Sequence, residues 1–185
     1  PYAIAKIAGI KLCEAYYDQH GCRFISAMST NLYGPNDSYD PENSHVVPAL
    51  IRKFHAAKLS GAPEVEIWGD GSAHREFMHV DDLARACVLL MERYEEKEFV
   101  NIGVGSEISI RDLAELIREV VGYEGSLRFD PSRPNGTPRK LMDSSRLQDL
   151  GFQPVVDLRS GLAQVYQDFQ AHHDHYVAGE RVVKG

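Results

Sequence analysis

The order of predicted elements along this chain indicates an α/β fold with a partly parallel sheet. Short apolar runs that favour β-strands alternate with longer segments in which apolar residues recur at helical spacing. Glycines and polar loops separate these segments, and the sequence has no internal repeat or low-complexity tract. Alternation of strands with helices is typical of sheets whose faces are covered by helices.

The first helix is predicted to begin at Pro1 and to end before Gly21. Its apolar residues form two faces at helical spacing: Ile4, Ala8, Leu12 and Ala15 on one, and Ile7 and Ile10 on the other. We therefore expect this helix to be buried on more than one side, against a sheet and against a second subunit.

The next segments predict a strand, two loops and a second helix. Residues 24–28 form a short apolar run that indicates a buried strand, residues 31–35 form the loop that leaves it, and residues 36–44 form a long polar loop. The second helix is predicted to begin at Pro48 and to end at Gly61. Its apolar face comprises Leu50, Ile51, Phe54 and Ala57.

The middle of the chain predicts two extended runs and a helix. Val65 and Ile67 alternate with glutamates before Trp68, which indicates a half-buried strand followed by a turn at residues 69–71. A second extended run covers residues 76–80. Asp81 and Asp82 favour the N-terminus of a helix over residues 83–93, because carboxylates complement the helix dipole there. A strand is predicted at residues 99–102.

The last third predicts two more helices and a strand. Ser109 and Asp112 resemble a capping box for a helix that runs to Val121 and ends at Gly122. Residues 126–129 indicate a strand. The final helix is predicted to begin near Asp157, with an apolar face comprising Leu158, Leu162, Val165 and Phe169.

Composition and charge exclude several classes of protein. The 20 basic and 27 acidic side chains give a net charge of −7 without a basic cluster, so we expect no nucleic-acid partner. The sequence has no apolar run near the ~18 residues of a membrane span, so we expect no membrane insertion. The three cysteines are odd in number and lack C-x-x-C spacing, which favours reduced thiols over a disulfide framework or a zinc site.

Three groups of residues within positions 2–45 are candidates for a functional site. Tyr2 and Lys6 lie four residues apart, so a helix places a phenol beside an ammonium group that favours the phenolate. His45 follows a polar loop and is a candidate proton donor, although a loop histidine is more often only solvated. The loop at residues 31–35 is a site candidate because ligands bind beyond the carboxyl ends of parallel strands.

Trp68, Arg75, Arg139 and Lys140 form a candidate pyrophosphate and nucleoside site. Arginine binds two phosphate oxygens at once, and tryptophan stacks on a base or covers a sugar. The alternative is that Trp68 lies in the core and that Arg75 pairs with Glu76 or Asp82.

Two other patterns are less informative. His172, His173 and His175 lack a nearby acidic pair and favour an exposed terminus over a metal site. Gly103-Val104-Gly105 follows a predicted strand, but the third glycine of a dinucleotide fingerprint is replaced by Ile108. We expect a strand-to-helix loop there, and no dinucleotide-binding loop in these 185 residues.

Four motifs in this order resemble the extended short-chain dehydrogenase/reductases that act on nucleotide sugars. They are Tyr2-x-x-x-Lys6, residues 31–35 (NLYGP), residues 68–71 (WGDG) and residues 75–82 (REFMHVDD). Within that superfamily, residues 43–51 (NSHVVPALI) and 134–140 (PNGTPRK) resemble the GDP-L-fucose synthases. The resemblance extends from Pro1 to about Phe169.

This resemblance implies NADPH-dependent epimerisation and reduction of GDP-4-keto-6-deoxy-D-mannose to GDP-L-fucose by a cytoplasmic homodimer. By position, Tyr2, Lys6 and His45 would be catalytic. The cofactor-binding residues would be Lys6, Ser29, Thr30, Asn31, Leu32 and His45, and the GDP-sugar would contact Lys53, Trp68, Arg75, Asn135 and Lys140. No metal is implied. Lys53 stands where these enzymes often have arginine, and Asn135 where they often have aspartate.

The resemblance also implies a domain arrangement. Residues 1–35 would end a Rossmann-like, dinucleotide-binding domain, and residues 36–185 would form mainly a smaller α/β substrate domain, with residues 69–103 returning to the first. In the family the glycine-rich NADP loop, the catalytic serine and the base cysteine lie upstream. We therefore expect a C-terminal part of the enzyme, inactive in isolation. The alternatives are another nucleotide-sugar epimerase or dehydratase of the superfamily, and a non-catalytic nucleotide-sugar-binding module.

Overall fold

Helices and short strands alternate along residues 1–179, the part of the chain that the computed structural model describes. The helices are α1 (Tyr2–His20), α2 (Val46–Ser60), α3 (Val80–Arg93), α4 (Ile110–Val121), α5 (Ser145–Asp149), α6 (Leu158–Ala171) and α7 (His173–Val177). The strands are β1 (Ala27–Ser29), β2 (Asn31–Tyr33), β3 (Glu64–Trp68), β4 (His74–Arg75), β5 (Phe77–His79), β6 (Val100–Ile102), β7 (Ile108–Ser109), β8 (Ser126–Asp130) and β9 (Arg139–Lys140). The predicted α/β class is confirmed.

The strands pair mainly in parallel. β1 pairs with β6, β2 with β5, and β3 with β8, all in parallel register. A three-stranded sheet has the order β7-β4-β9, in which β4 is antiparallel to β7 and parallel to β9. The strands thus form three parallel pairs and one mixed sheet, which agrees with the predicted partly parallel pairing.

Two hydrophobic clusters support these strands. The larger cluster joins α2, α4 and α6 to β3 and β8, and its fully buried members include Phe54, Ile117 and Phe169. The smaller cluster joins α3 and α5 to β6 around Leu90 and Ile102. Each cluster lies beside one of the pairs of parallel strands.

Local sequence signals place the helix ends well. Gly21, Gly61 and Gly122 follow α1, α2 and α4, as predicted. The Ser109 hydroxyl accepts a hydrogen bond from the Asp112 amide at 3.0 Å, which confirms the predicted cap of α4. Two helices start earlier than predicted. α2 begins at Val46 after the N-cap His45, and α3 begins at Val80 after a cap by His79, whose Nδ1 accepts from the Asp81 amide.

Several short strands differ from the prediction because pairing with distant segments defines them. The predicted loop at residues 31–35 contains β2, since Asn31–Tyr33 pair with Phe77–His79. The predicted strand at residues 24–28 is displaced to Ala27–Ser29, opposite β6. β7 and β9 are two-residue strands that both pair with β4, and neither was predicted. Runs of two or three residues carry too little periodicity to identify.

The predicted burial of α1 against a sheet is not found in the described part of the chain. None of its 19 residues is buried against the rest of residues 1–179. Ile4 is 69% exposed and Leu12 is 58% exposed. Its apolar residues are spread around the helix, so they form no single face for one neighbouring element to cover. Separately, no helix within residues 1–179 combines the length and the apolar character that a membrane span requires.

Candidate functional site

A cleft with a volume of about 570 Å³ collects most of the predicted catalytic and cofactor-binding residues. Its wall is formed by the start of α1, the segment from β1 through β2 into the following loop, and the start of α2. The lining residues include Tyr2, Ser29, Thr30, Asn31, Leu32, Asp37 and His45. The structure thus joins three separate segments of the chain. A cleft of this volume lies within the range that small-molecule ligands occupy.

Tyr2 and Lys6 form a pair on one face of α1. The Lys6 ammonium nitrogen lies 5.3 Å from the centroid of the Tyr2 ring. Tyr2 lines the cleft and is 76% exposed, whereas Lys6 lies one helical turn further along, beside the ring and away from the cleft wall. The predicted i, i+4 contact is therefore present. It provides a phenol at the cleft and a cation within reach of it.

The segment that precedes and forms β2 is anchored to the neighbouring strand. The Thr30 hydroxyl and the side-chain amide of Asn31 both donate to the backbone carbonyl of Glu76, at 3.1 and 2.8 Å. The Thr30 amide donates to the Ile102 carbonyl at 3.0 Å. These polar side chains hold the cleft wall in place, which leaves Ser29 and the neighbouring backbone to face a ligand.

His45 lies at the N-terminus of α2 and is exposed to the cleft. It is the N-cap residue by backbone conformation, but its side chain makes no capping hydrogen bond. The imidazole is therefore placed at the cleft without a structural role in the cap. Asp37 lines the same cleft. Burial raises the pKa of the Asp37 carboxyl, against opposing effects of the Ser38 amide and of the charge on His45.

The predicted nucleotide-sugar residues form a second group around Trp68. Trp68 is 58% exposed at the end of β3, so the alternative that it lies in the core is wrong. Two cations approach its ring: Lys53 Nζ lies 5.5 Å and the Arg133 guanidinium 5.1 Å from the centroid. An exposed indole between cations suits a ligand that combines an aromatic base with phosphates.

Asn135 fixes the turn after Trp68. Its side-chain oxygen accepts a hydrogen bond from the Asp70 amide at 2.8 Å. Gly69 has a φ of 82°, and a β-carbon added there would lie 2.2 Å from that same oxygen. Only glycine therefore allows this approach, and Asn135 holds the loop that presents the indole.

Arg75 and Lys140 lie opposite each other in the pairing of β4 with β9. The Arg75 guanidinium donates to the carbonyl of His74 at 2.7 Å. Neither predicted acidic partner binds it: the Glu76 carboxylate accepts backbone amides and Asp82 binds Arg85. The alternative pairing of Arg75 is therefore wrong. Arg139 differs from its neighbour Lys140, because it forms an ion pair with Glu107 at 2.8 Å.

The Gly103–Gly105 turn binds an internal carboxylate. The amides of Val104 and Gly105 donate to Glu76 Oε1 at 2.7 and 2.8 Å, and Glu76 is completely buried. A β-carbon at Gly103 would lie 2.5 Å from this oxygen. The turn is thus a loop that carries its own anion, which agrees with the prediction that it is not a dinucleotide-binding loop.

Sequence patterns did not identify Asp37, Glu76 or Arg133. Asp37 lies in a polar loop without periodicity, and Glu76 and Arg133 depend on contacts with residues distant in sequence. Within residues 1–179, no group of three histidine, cysteine, aspartate or glutamate side chains is arranged to hold a metal ion. His173 instead contacts the His55 ring at 5.3 Å, and His172 contacts Asp168.

Comparison with known proteins shows which family the sequence resembles. The model of the NAD dependent epimerase/dehydratase family matches residues 1–103. The chain is 65% identical over 165 residues to GDP-L-fucose synthase 1 of Arabidopsis thaliana, a match that covers 89% of this chain and 51% of that protein. It is 50% identical over 185 residues to GDP-L-fucose synthase of Escherichia coli (strain K12), covering 95% of this chain and 58% of that protein.

A solved structure agrees with these matches. The GDP-L-fucose synthetase from Naegleria fowleri bound to NADP superposes with a TM-score of 0.83 at 26% identity, over 93% of this chain and 55% of that one. The chain spans about half the length of the curated relatives it matches. Because the family model covers more than half of its residues, the chain belongs to the NAD dependent epimerase/dehydratase family.

Proposed function

We propose that the protein containing this chain converts GDP-4-keto-6-deoxy-D-mannose to GDP-L-fucose by NADPH-dependent epimerisation and reduction. The observation that carries the proposal is the placement of Tyr2, residues 29–32 and His45 around one cleft. The similarity to GDP-L-fucose synthases at 65% and 50% identity supports the choice of substrate.

The cleft residues fit a nicotinamide cofactor. Ser29, Thr30, Asn31, Leu32 and His45 line the cleft, and Lys6 lies beside Tyr2 at its edge. In this role the Lys6 ammonium holds hydroxyl groups of the cofactor ribose. Bound NADPH supplies the hydride for reduction of the ketone.

Tyr2 is the proposed proton donor to the ketone oxygen. Its phenol lines the cleft, and the Lys6 ammonium nitrogen lies 5.3 Å from the centroid of its ring. The proton leaves the phenolic oxygen and ends on the sugar C4 oxygen, which becomes a hydroxyl. Tyr2 lines the cleft, where its phenol can reach a bound sugar.

His45 is the proposed acid in the epimerisation. The ketone acidifies the two carbons that flank it, so a proton lost from one face of such a carbon is replaced from the other face. The His45 imidazole is exposed to the cleft and is not used as a helix cap. It is therefore available to deliver that proton.

The group around Trp68 is proposed to bind the GDP moiety. Trp68 presents its exposed ring, and the cations Lys53, Arg75 and Lys140 favour the diphosphate. Asn135 keeps the loop after Trp68 in place. Lysine at position 53 binds a phosphate as a point charge. Contacts in which one side chain binds two phosphate oxygens at once would therefore come from Arg75.

The domain division is proposed on the same basis. Residues 1–35 would complete a Rossmann domain, and residues 36–185 would form mainly the substrate domain, with residues 69–103 returning to the first. We also propose an isomerase as well as an oxidoreductase activity, a cytoplasmic location, and a homodimer formed through α1. The exposed apolar side chains of α1 support the last point.

Replacing His45 by glutamine in the full-length protein tests the proposal. We expect exchange of solvent deuterium into the sugar to fall by about 100-fold or more, because the acid is removed. Reduction of a sugar supplied already epimerised is expected to continue. His20→Gln, at the exposed end of α1, is the matched control. Unchanged exchange in His45→Gln would favour another nucleotide-sugar epimerase or dehydratase, in which this histidine has no acid role.

A further inference from the structure

The segment Asn36–Asp37 forms a thin wall between two clefts. Both residues line the candidate active-site cleft, and both also line a second cleft of about 440 Å³ on the side of α7. Asn36 has a φ of 65°, in the left-handed region that non-glycine residues rarely adopt. A strained segment with space on each side keeps its position only if specific contacts define it.

One such contact is a directed chain of hydrogen bonds from the C-terminal helices. The Asn36 amide donates to the Tyr176 hydroxyl of α7 at 3.0 Å, and that hydroxyl donates its own proton to the Asp168 carboxylate of α6. An amide can only donate, so the phenolic oxygen must accept there. Burial, together with the bond to Asp168, raises the pKa of Tyr176 to about 12, so the hydroxyl stays protonated at neutral pH.

Tyr176 itself is firmly held. It is 4% exposed, and its ring lies 4.8 Å from the Tyr39 ring and 6.1 Å from the Phe169 ring. Tyr39 belongs to the same loop as Asn36, and its carbonyl accepts a hydrogen bond from Arg52 of α2 at 2.6 Å. The loop is therefore fastened to the helical core on its α7 side and its α2 side.

The segment that Tyr176 holds carries Asp37, which lines the same cleft as His45. We propose that Tyr176, anchored by Asp168, is a positioning residue of the candidate active site that fixes the Asn36–Asp37 wall and thereby places Asp37 relative to His45. The effect on turnover rests on the proposed function, whereas the effect on His45 does not. The C-terminal helices thus contribute to the site without touching a ligand.

The test compares Tyr176→Phe with Tyr166→Phe in the full-length protein. Tyr166 is also a buried tyrosine of the C-terminal helices, but its hydroxyl contacts His55 Nδ1 at 3.1 Å, away from the cleft. We expect Tyr176→Phe to lower kcat on the GDP-4-keto sugar by about 10-fold, since small displacements of reacting groups are costly. The KM for NADPH is expected to change less than about twofold, and Tyr166→Phe is expected to keep kcat.

Histidine side-chain NMR spectra supply a readout that does not depend on the reaction. Tyr176→Phe is expected to shift the resonances of His45, whereas Tyr166→Phe is expected to shift those of His55 and leave His45 unchanged. An unshifted His45 with unchanged kcat in Tyr176→Phe overturns the inference. Loss of kcat in both variants, in proportion to their loss of stability, also overturns it, because it indicates a general structural role.

Two further outcomes are informative. If the wild-type protein does not act on the GDP-4-keto sugar, the proposed function fails, and the His45 spectra alone decide the positioning role. If Tyr176→Phe does not fold, Asp168→Asn replaces it, since the amide oxygen still accepts a hydrogen bond but the charge is lost. Asp168→Asn is expected to shift His45 and lower kcat in the same direction, and wild-type values for both overturn the inference.

Discussion

Helices α1 and α2 each bring one candidate catalytic side chain to the same cleft, but only α2 belongs to the hydrophobic core. α2 buries six residues: Val47, Pro48, Leu50, Ile51, Phe54 and Ala57. α1 buries none of its residues against the described chain. Most helical stability in proteins comes from packing of an apolar face. His45 therefore stands on a helix that the core supports, whereas Tyr2 stands on a helix that the described chain holds through exposed contacts such as the ion pair of Asp18 with Lys97.

The difference separates local from long-range contributions to the site. Tyr2 and Lys6 contact each other within one helical turn, so α1 alone can form the pair. His45 reaches the cleft only because α2 packs on the core and because the loop before it is fixed by Tyr176 and Arg52. Destabilising substitutions in the core should therefore affect His45 more than the Tyr2–Lys6 pair.

The largest expected effect is that of Phe54→Ala in α2. Phe54 is fully buried and stacks on Tyr123 with ring centroids 5.7 Å apart. Its removal leaves a cavity and is expected to lower the free energy of unfolding by about 3–5 kcal/mol, measured by urea denaturation. Phe54→Leu is the control and is expected to lose clearly less. A loss below about 1 kcal/mol for the alanine variant would contradict the supporting role of α2.

A smaller effect is expected for Asp82→Asn in α3. The Asp82 carboxylate is fully buried and accepts hydrogen bonds from the amides of Val155 and Val156 and from Arg85. We expect a loss of about 2 kcal/mol in the free energy of unfolding, because the amide cannot replace all three bonds. Asp18→Asn in α1 is the control. Asp18 forms only an exposed ion pair with Lys97, and its replacement is expected to cost less than about 1 kcal/mol.

The same substitution has a predictable pH dependence. Burial opposes ionisation of Asp82, but the hydrogen bonds from Val156 and Val155 and the charge of Arg85 outweigh it, so its pKa is lowered from 3.8. A group with a lowered pKa in the folded state stabilises the protein above its unfolded pKa, and this contribution is lost as the pH falls. Stability of Asp82→Asn should therefore fall less steeply than that of wild type below about pH 4. Equal slopes would contradict this assignment.

The smallest effect is expected for Ile4→Ala in α1. Ile4 is 69% exposed, so the substitution is expected to change the free energy of unfolding by less than about 0.5 kcal/mol. Amide hydrogen exchange should also show lower protection in α1 than in α2. A larger loss from Ile4→Ala that depends on protein concentration would show that a second copy covers α1, and it would support the proposed homodimer.

The sequence predicts the elements that local chemistry defines. Each of these elements depends on residues that are only a few positions apart. Examples are the cap by Ser109, the glycines that follow three helices, and the contact of Lys6 with Tyr2. The elements that were predicted wrongly depend instead on residues that are distant in the sequence. β2 exists because Asn31–Tyr33 pair with Phe77–His79, and no signal inside three residues reports a partner 46 positions away. Most residues of the candidate site could be identified from the sequence because their motifs resemble those of a known family. Asp37 could be identified only from its position in the folded chain.

Glu76 has a consequence for how the cleft can move. Its carbonyl holds Thr30 and Asn31, and its carboxylate holds the amides of Val104 and Gly105. One buried residue thus joins the cleft wall to a distant turn. The wall cannot shift without breaking the hydrogen bonds to the Glu76 carbonyl, and the turn cannot shift without breaking charge-assisted bonds to the Glu76 carboxylate. This wall is therefore the fixed side of the cleft. Among the cleft segments that the structure describes, α1 is the one without such an anchor, so we expect opening or closing around a ligand to come from α1.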